Sequence, residues 1–143
     1  MFTCITKIMS QRHTPPKLGS IPLGIKSIII GIDISWYQPE LSRKDAEEHL
    51  GAHCIGTFVF RHSETVSAEY YMADRLLSMS LNTNNGVIHF IVIYKNRKWM
   101  LVGKLSMFEN LGELILYFAS VLPSRNYNTY LVKSLPIYNV YTL

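Results

Sequence analysis

An arginine stands directly after a short apolar run, Phe58-Val59-Phe60-Arg61, and the residues that follow it are polar: His62, Ser63, Glu64 and Thr65. A guanidinium at the end of a buried strand is desolvated and needs an anion. Ser63 and Thr65 add hydroxyl donors, and the loop from His62 to Ser67 can turn several backbone N–H groups toward one point, which together make a donor-rich anion cradle. Arg43 reaches the same place if the helix that it opens packs beside the strand. Two arginines, two hydroxyls and loop amides suit a dianionic phosphate better than a carboxylate. The plainer reading is that Arg61 caps a strand end and pairs with Glu64 or Glu69; spacing alone leaves both readings open.

The elements that must position these groups are readable from local pattern. Ser42-Arg43-Lys44-Asp45 matches a capping box, in which a hydroxyl and an acid three residues on satisfy each other's free backbone N–H groups. A helix therefore starts there, with Ala46 and Leu50 as its narrow apolar stripe and Gly51 as the residue that ends it in a left-handed turn. Thr57-Phe58-Val59-Phe60 reads as a strand buried on both faces, followed by a loop as far as Ser67. Leu76 to Leu81 and Val87 to Tyr94 are two further β-type runs joined by Asn82-Thr83-Asn84-Asn85-Gly86, whose Asn-Gly favours a tight hairpin. Lys95-Asn96-Arg97-Lys98 then turns the chain into Trp99 to Val102. Leu111, Leu114, Ile115 and Phe118 recur at i, i+3, i+4 and i+7 behind the capping pair Asn110 and Glu113, which marks a second helix. The order predicts an α+β fold, a central antiparallel β-sheet meander flanked by two α-helices, one for each face.

With 143 residues, 48% of them apolar, 12% aromatic and 17% charged, the chain can bury one core and is not a mainly disordered or collagen-like protein. We divide it into a leader over 1–33, rich in proline and glycine, a domain over 34–122, and a tail over 123–143 that packs on or trails the domain. The leader's Ile28-Ile29-Ile30 run packs on the domain, adds an edge strand or forms an exposed hydrophobic contact. The net charge of +4 hints at a nucleic-acid or membrane partner, but its distribution does not: the leader carries +3, the tail +2 and the domain −1. Cys4 and Cys54 make no disulfide framework and no C-x-x-C pair, which suggests reducing surroundings. Neither a spanning segment nor a signal peptide is visible, so the cytoplasm is the expected address.

Five ordered blocks then carry a family resemblance: Trp36-Tyr37; Ser42-Arg43-Lys44-Asp45-Ala46-Glu47; Gly56-Thr57-Phe58-Val59-Phe60-Arg61-His62-Ser63-Glu64-Thr65; Val87-Ile88-His89-Phe90; and Phe108-Glu109-Asn110-Leu111. Over roughly 35–122 the chain resembles a Src homology 2 (SH2) domain. The resemblance implies a non-catalytic adaptor module that needs no cofactor and binds tyrosine-phosphorylated proteins. It implies that Arg61 forks two phosphate oxygens, that Arg43 touches phosphate and lies against the tyrosine ring, that Ser63, the Glu64 amide and Thr65 form the phosphate loop, and that His89 lines the pocket wall. Phe90 and Ile91 then face the residues after the phosphotyrosine. Within the family the chain looks most like the tensins, through Trp36-Tyr37-Gln38-Pro39, His89-Phe90-Ile91 and the Ser120 to Pro136 stretch, which implies adhesion sites as a location. Tensins continue into a phosphotyrosine-binding-type domain for which the residues after Pro123 are too few, so this chain reads as a fragment, a short isoform or a divergent relative. Two departures stand out: Ala68 to Asp74 is longer and less regular than usual, and Ile91 replaces a lysine that often touches the phosphotyrosine, which implies modest affinity.

Other constellations are weaker. His49, His53 and Cys54 have metal-ligand side chains, but Gly51 breaks the helix between the histidines and no fourth ligand is near, so no metal is expected. Ser63 beside His62 lacks a Gly-x-Ser-x-Gly elbow. The basic turn Lys95 to Lys98, with the basic ends, supports an alternative in which the protein binds anionic lipid headgroups or single-stranded RNA; the slightly acidic domain argues against nucleic acid. The tail tyrosines Tyr127, Tyr130, Tyr138 and Tyr141 are possible phosphorylation sites, though most tail tyrosines do nothing so specific.

Overall fold

The computed structural model of the chain describes residues 36–64 and 66–136. The leader 1–33, the Ile28–Ile30 run, Thr65, Tyr138 and Tyr141 lie outside these residues.

Four β-prone residues and Arg61 form β1 (Thr57–Arg61), and every one of the five is buried. The alternation of side chains along a strand then sorts them, with Phe58 and Phe60 entering one core and Val59 another. Beside β1 lies β2 (Arg75–Thr83), antiparallel to it, and β2 continues through the two-residue turn Asn84-Asn85 into β3 (Gly86–Lys95). Gly86 stands at φ +98 at the end of that turn, a conformation that only glycine adopts at little cost. A second tight turn places Asn96 and Arg97 at φ 53 and 64 and leads into β4 (Lys98–Leu101). Between β1 and β2 the chain forms a 3-10 helix, Ala68–Tyr71, in the stretch expected to be irregular.

The sheet has five strands in the order β4-β3-β2-β1-β5. β5 (Lys133–Ser134), which the sequence pattern does not reveal, joins β1 in parallel as an edge strand. The 123–136 stretch is thus partly built into the domain, with Leu131 in one core and Leu135 in the other. Gly56 makes the approach possible: at φ +97, its Cβ position would lie 2.5 Å from Val132 Cγ2.

Two α-helices among the described residues cover opposite faces of the sheet. α1 (Arg43–Gly51) buries Ala46 and Leu50 against Val59 and Leu135. Its N-cap forms as expected, with Ser42 Oγ accepting from the Asp45 N–H at 3.0 Å. Its other end differs from expectation: the chain leaves through Ala52 at φ −88, with no left-handed residue. There the Ala52 and His53 N–H groups donate to His49 and Leu50 carbonyls, which satisfies the last turn by tightening it. α2 (Leu111–Phe118) packs Leu111, Leu114, Ile115 and Phe118 against Phe58, Phe60, Met79 and Leu101. Asn110 caps it by accepting from Glu113 N–H at 2.9 Å, while the Glu113 carboxylate reaches back to the Glu109 N–H at 3.2 Å.

Candidate functional site

Strand register decides what meets Arg61. Because Arg61 lies two residues after Val59, its side chain points to the α1 face. The same face carries Ser78 and Ser80 of β2, which pair with Ile91 and His89 of β3. The sheet thus places a cation, a hydroxyl and an imidazole in a diagonal row beneath the N-terminal turns of α1.

The row is hydrogen-bonded along its length. Arg61 is only 2% exposed. Its Nε donates to Ser80 Oγ at 3.0 Å, its Nη1 donates to the His62 carbonyl at 3.2 Å, and its Nη2 donates to His89 Nδ1 at 3.2 Å. Ser80 Oγ lies 2.7 Å from the same Nδ1. On its other side, His89 Nε2 lies 2.7 Å from Glu47 Oε2. Burial lowers the Arg61 pKa from its ordinary value, with Glu64 opposing the shift, yet a guanidinium remains charged at any physiological pH. Burial also lowers the His89 pKa, against the hydrogen bond to Glu47 that raises it. The bond to His89 in turn holds the Glu47 carboxyl below its usual range.

Above this row opens a cleft of about 670 Å³, lined by Arg43, Lys44, Glu47, Arg61, Ser63, Glu64, His89, Phe90 and Ile91 among others. Three cations face two carboxylates here, so with His89 neutral the cleft holds a net positive charge. The carboxylates pair with the two arginines. Glu64 Oε1 lies 3.5 Å from Arg61 Nη1 and accepts from the Arg43 backbone N–H at 2.5 Å, while Arg43 Nε faces Glu47 Oε2 at 3.4 Å. The plainer sequence reading is therefore present too, with Glu64 as the ion-pair partner of Arg61.

Of the residues singled out from sequence, Arg61, Arg43, Ser63, Glu64, His89, Phe90 and Ile91 all line this cleft. Thr65 lies outside the described residues. Ser63 Oγ accepts from the Val66 N–H at 3.2 Å, which orders the loop. Sequence reasoning overlooks Glu47, Ser80 and Lys44. The spacing of Arg43 and Glu47 at i, i+4 on one helix face is the signal that could have found Glu47; Ser80 needed the register of β2 against β3.

Beyond the cleft, β4 pairs only with the later part of β3, from Val92 to Lys95. The earlier stretch, Gly86 to Phe90, has no strand partner on that edge among the described residues. Past β4, the 102–107 loop exposes Leu105 at 97% and Met107 at 58%, close in sequence to α2 and its exposed Tyr117. The basic turn is differently engaged: Lys95 Nζ donates to the Tyr71 carbonyl, and Lys98 Nζ pairs with Glu109. Among the described residues no group of three or more His, Cys, Asp or Glu could hold a metal ion, and no helix is long and apolar enough to cross a membrane.

Comparison with known proteins gives three findings. A family model described as SH2 domain matches residues 36–118, more than half of the chain. The chain is 31% identical over 107 residues to the tyrosine-protein kinase abl-1 of Caenorhabditis elegans; the match covers 74% of this chain but only 8% of that protein. Its fold is similar to the solution NMR structure of the Monosiga brevicollis CRK/CRKL homolog (crka1) SH2 domain. That similarity has a TM-score of 0.59 and 24% identity, and covers 73% of this chain and 89% of that one.

Proposed function

The chain belongs to the SH2 domain family, and from that premise we propose that it is an adaptor module that docks tyrosine-phosphorylated proteins through Arg61 and catalyses nothing itself. The observation that carries this reading is the buried Arg61, whose anchoring bonds to Ser80, His62 and His89 leave guanidinium N–H groups to spare at the floor of a positively charged cleft. Five donors in a planar fork match two phosphate oxygens. The burial of Arg61, 2% exposed, favours phosphotyrosine, because phosphoserine holds its phosphate too near the peptide backbone to reach it. Arg43 supplies the second cation and a face for the ring, with Ser63, Glu64 and Thr65 as the phosphate loop and His89 as the wall.

The rest of the peptide crosses the unpaired edge of β3, past Phe90 and Ile91. The exposed Leu105 and Met107 then favour apolar residues downstream of the phosphotyrosine. We place the binding module at 34–122, with 1–33 as a leader and 123–143 as a C-terminal segment whose described part, to residue 136, is held through Leu131 and Leu135. The residues shared with tensins support a tensin-like member working in the cytoplasm at adhesion sites. The alternative, a binder of anionic lipid or single-stranded RNA through Lys95 to Lys98, is the poorer fit, since Lys95 and Lys98 are already held by Tyr71 and Glu109.

Fluorescence polarisation with matched phosphorylated and plain tyrosine peptides tests the proposal. Binding should require the phosphate and vanish on phosphatase treatment. Binding that ignores phosphorylation and weakens steeply with salt would instead support the lipid or RNA mode.

A further inference from the structure

We propose that Glu47 is a positioning residue of the phosphate pocket, acting through His89 to hold the imidazole in the tautomer that offers an acceptor to Arg61. The inference rests on the phosphate reading of Arg61 given above.

The hydrogen-bond chemistry leaves one consistent assignment. Arg61 Nη2 can only donate, so His89 Nδ1, 3.2 Å away, must accept. With Nδ1 thus an acceptor, Ser80 Oγ, which itself accepts from Arg61 Nε at 3.0 Å, gives its own proton to that same Nδ1 at 2.7 Å. The ring proton must then sit on Nε2, where Glu47 Oε2 receives it at 2.7 Å. The two tautomers of a neutral imidazole are close in intrinsic preference, so the hydrogen bond at one nitrogen decides what the other presents. Without an acceptor at Nε2, the ring can place its proton on Nδ1, where it meets two donors and turns the guanidinium fork out of line.

Protonation of His89 would do the same, since imidazolium donates from both nitrogens. The charged groups that act on His89 are Glu47 and Arg43 from α1 and Arg61 from β1; Ser80 on β2 does not titrate. Glu47 raises the His89 pKa and the two arginines lower it, so removal of Glu47 should move the acid loss of binding to lower pH.

The test sets positioning against simple charge, which predict opposite signs. Removing a carboxylate beside a phosphate site should tighten binding equally in Glu47→Ala and Glu47→Gln if charge is all that matters. Positioning predicts that Glu47→Ala weakens binding of phenyl phosphate by about 3–10-fold at pH 7.5, the size of one lost hydrogen bond. Glu47→Gln, which still accepts from Nε2–H, should bind at least as well as the parent. In both variants the acid limb of binding should shift to lower pH. Ring 15N shifts of His89 in the ligand-free protein read the tautomer directly: Nε2–H in the parent and in Glu47→Gln, a mixture in Glu47→Ala. A parent ring in the Nδ1–H form, or equal tightening in both variants, overturns the proposal. Failure of the parent to bind phenyl phosphate, with the ring in the Nε2–H form, overturns the phosphate reading instead.

Discussion

Replacing Arg61 by alanine isolates the contribution of the buried guanidinium. Of its five N–H groups, one on Nε, one on Nη1 and one on Nη2 hold Ser80, His62 and His89. One N–H on each terminal nitrogen remains, and the Glu64 carboxylate approaches Nη1 only at 3.5 Å. A charge-assisted hydrogen bond contributes about 1.5–3 kcal/mol, so two of them amount to roughly 3–6 kcal/mol, or about two to four decades in Kd. The fold should survive, because Ser80 and His89 already lie 2.7 Å apart and can satisfy each other, and a costly desolvated cation is gone. Arg61→Lys keeps the charge but loses the fork, and should also weaken binding by more than about tenfold. The assay is polarisation of a labelled phosphotyrosine peptide at 0.15 M salt, with thermal melting of each variant alongside. A loss below tenfold in Arg61→Ala, with the melting temperature unchanged, would refute the assignment of Arg61 as the phosphate anchor.

Three further outcomes follow from the same geometry. Because burial holds the pKa of His89, and of His53, below the ordinary 6.5, the unfolded chain takes up more protons than the folded one just below that value, and stability should fall as pH drops from about 7 to 5. His89→Gln and His53→Gln should each flatten the dependence of melting temperature on pH, and a slope unchanged in both would contradict this. Glu64→Gln removes the anion that ties Arg61 to the Arg43 backbone N–H and should tighten phosphopeptide binding by about 2–5-fold in the polarisation assay, the scale of an exposed ion pair. Gly56→Ala combines a positive φ with a Cβ 2.5 Å from Val132 Cγ2 and should cost roughly 2–5 kcal/mol in urea unfolding; a loss below 1 kcal/mol would mean that the β5 edge yields easily.

What could be read from the residues was whatever local pattern controls. Ser42, Asn110 and Gly86 announce two helix starts and a hairpin because capping and positive φ are one-residue decisions. The helix stripe from Leu111 to Phe118 follows from its period alone. Arg61 could be picked out because an apolar run that ends in a cation is chemically conspicuous, but spacing could not choose between phosphate and Glu64; the family blocks inclined the reading to phosphate. The parts that stayed hidden are set across the chain. β5 is only two residues long and owes its place to β1 and to Gly56. The link from Glu47 to His89 joins residues 42 positions apart, and it exists only once α1 has docked over β3. Gly51 misled because glycine permits a left-handed end without requiring one.

The C-terminal segment has a consequence for how this domain is made. It places Leu131 among the α2-side residues and Leu135 among those under α1, and between them it hems the edge of β1 by parallel pairing. A chain still emerging from the ribosome therefore displays β1 before its edge partner exists, and closure of that contact, which spans most of the described length, comes late in folding. Expression truncated after residue 122 would leave the same condition permanent: two holes in the cores and a bare strand edge that offers its N–H and C=O groups to a neighbouring copy. Such a truncated protein should form aggregates, even with the entire phosphate cleft still encoded.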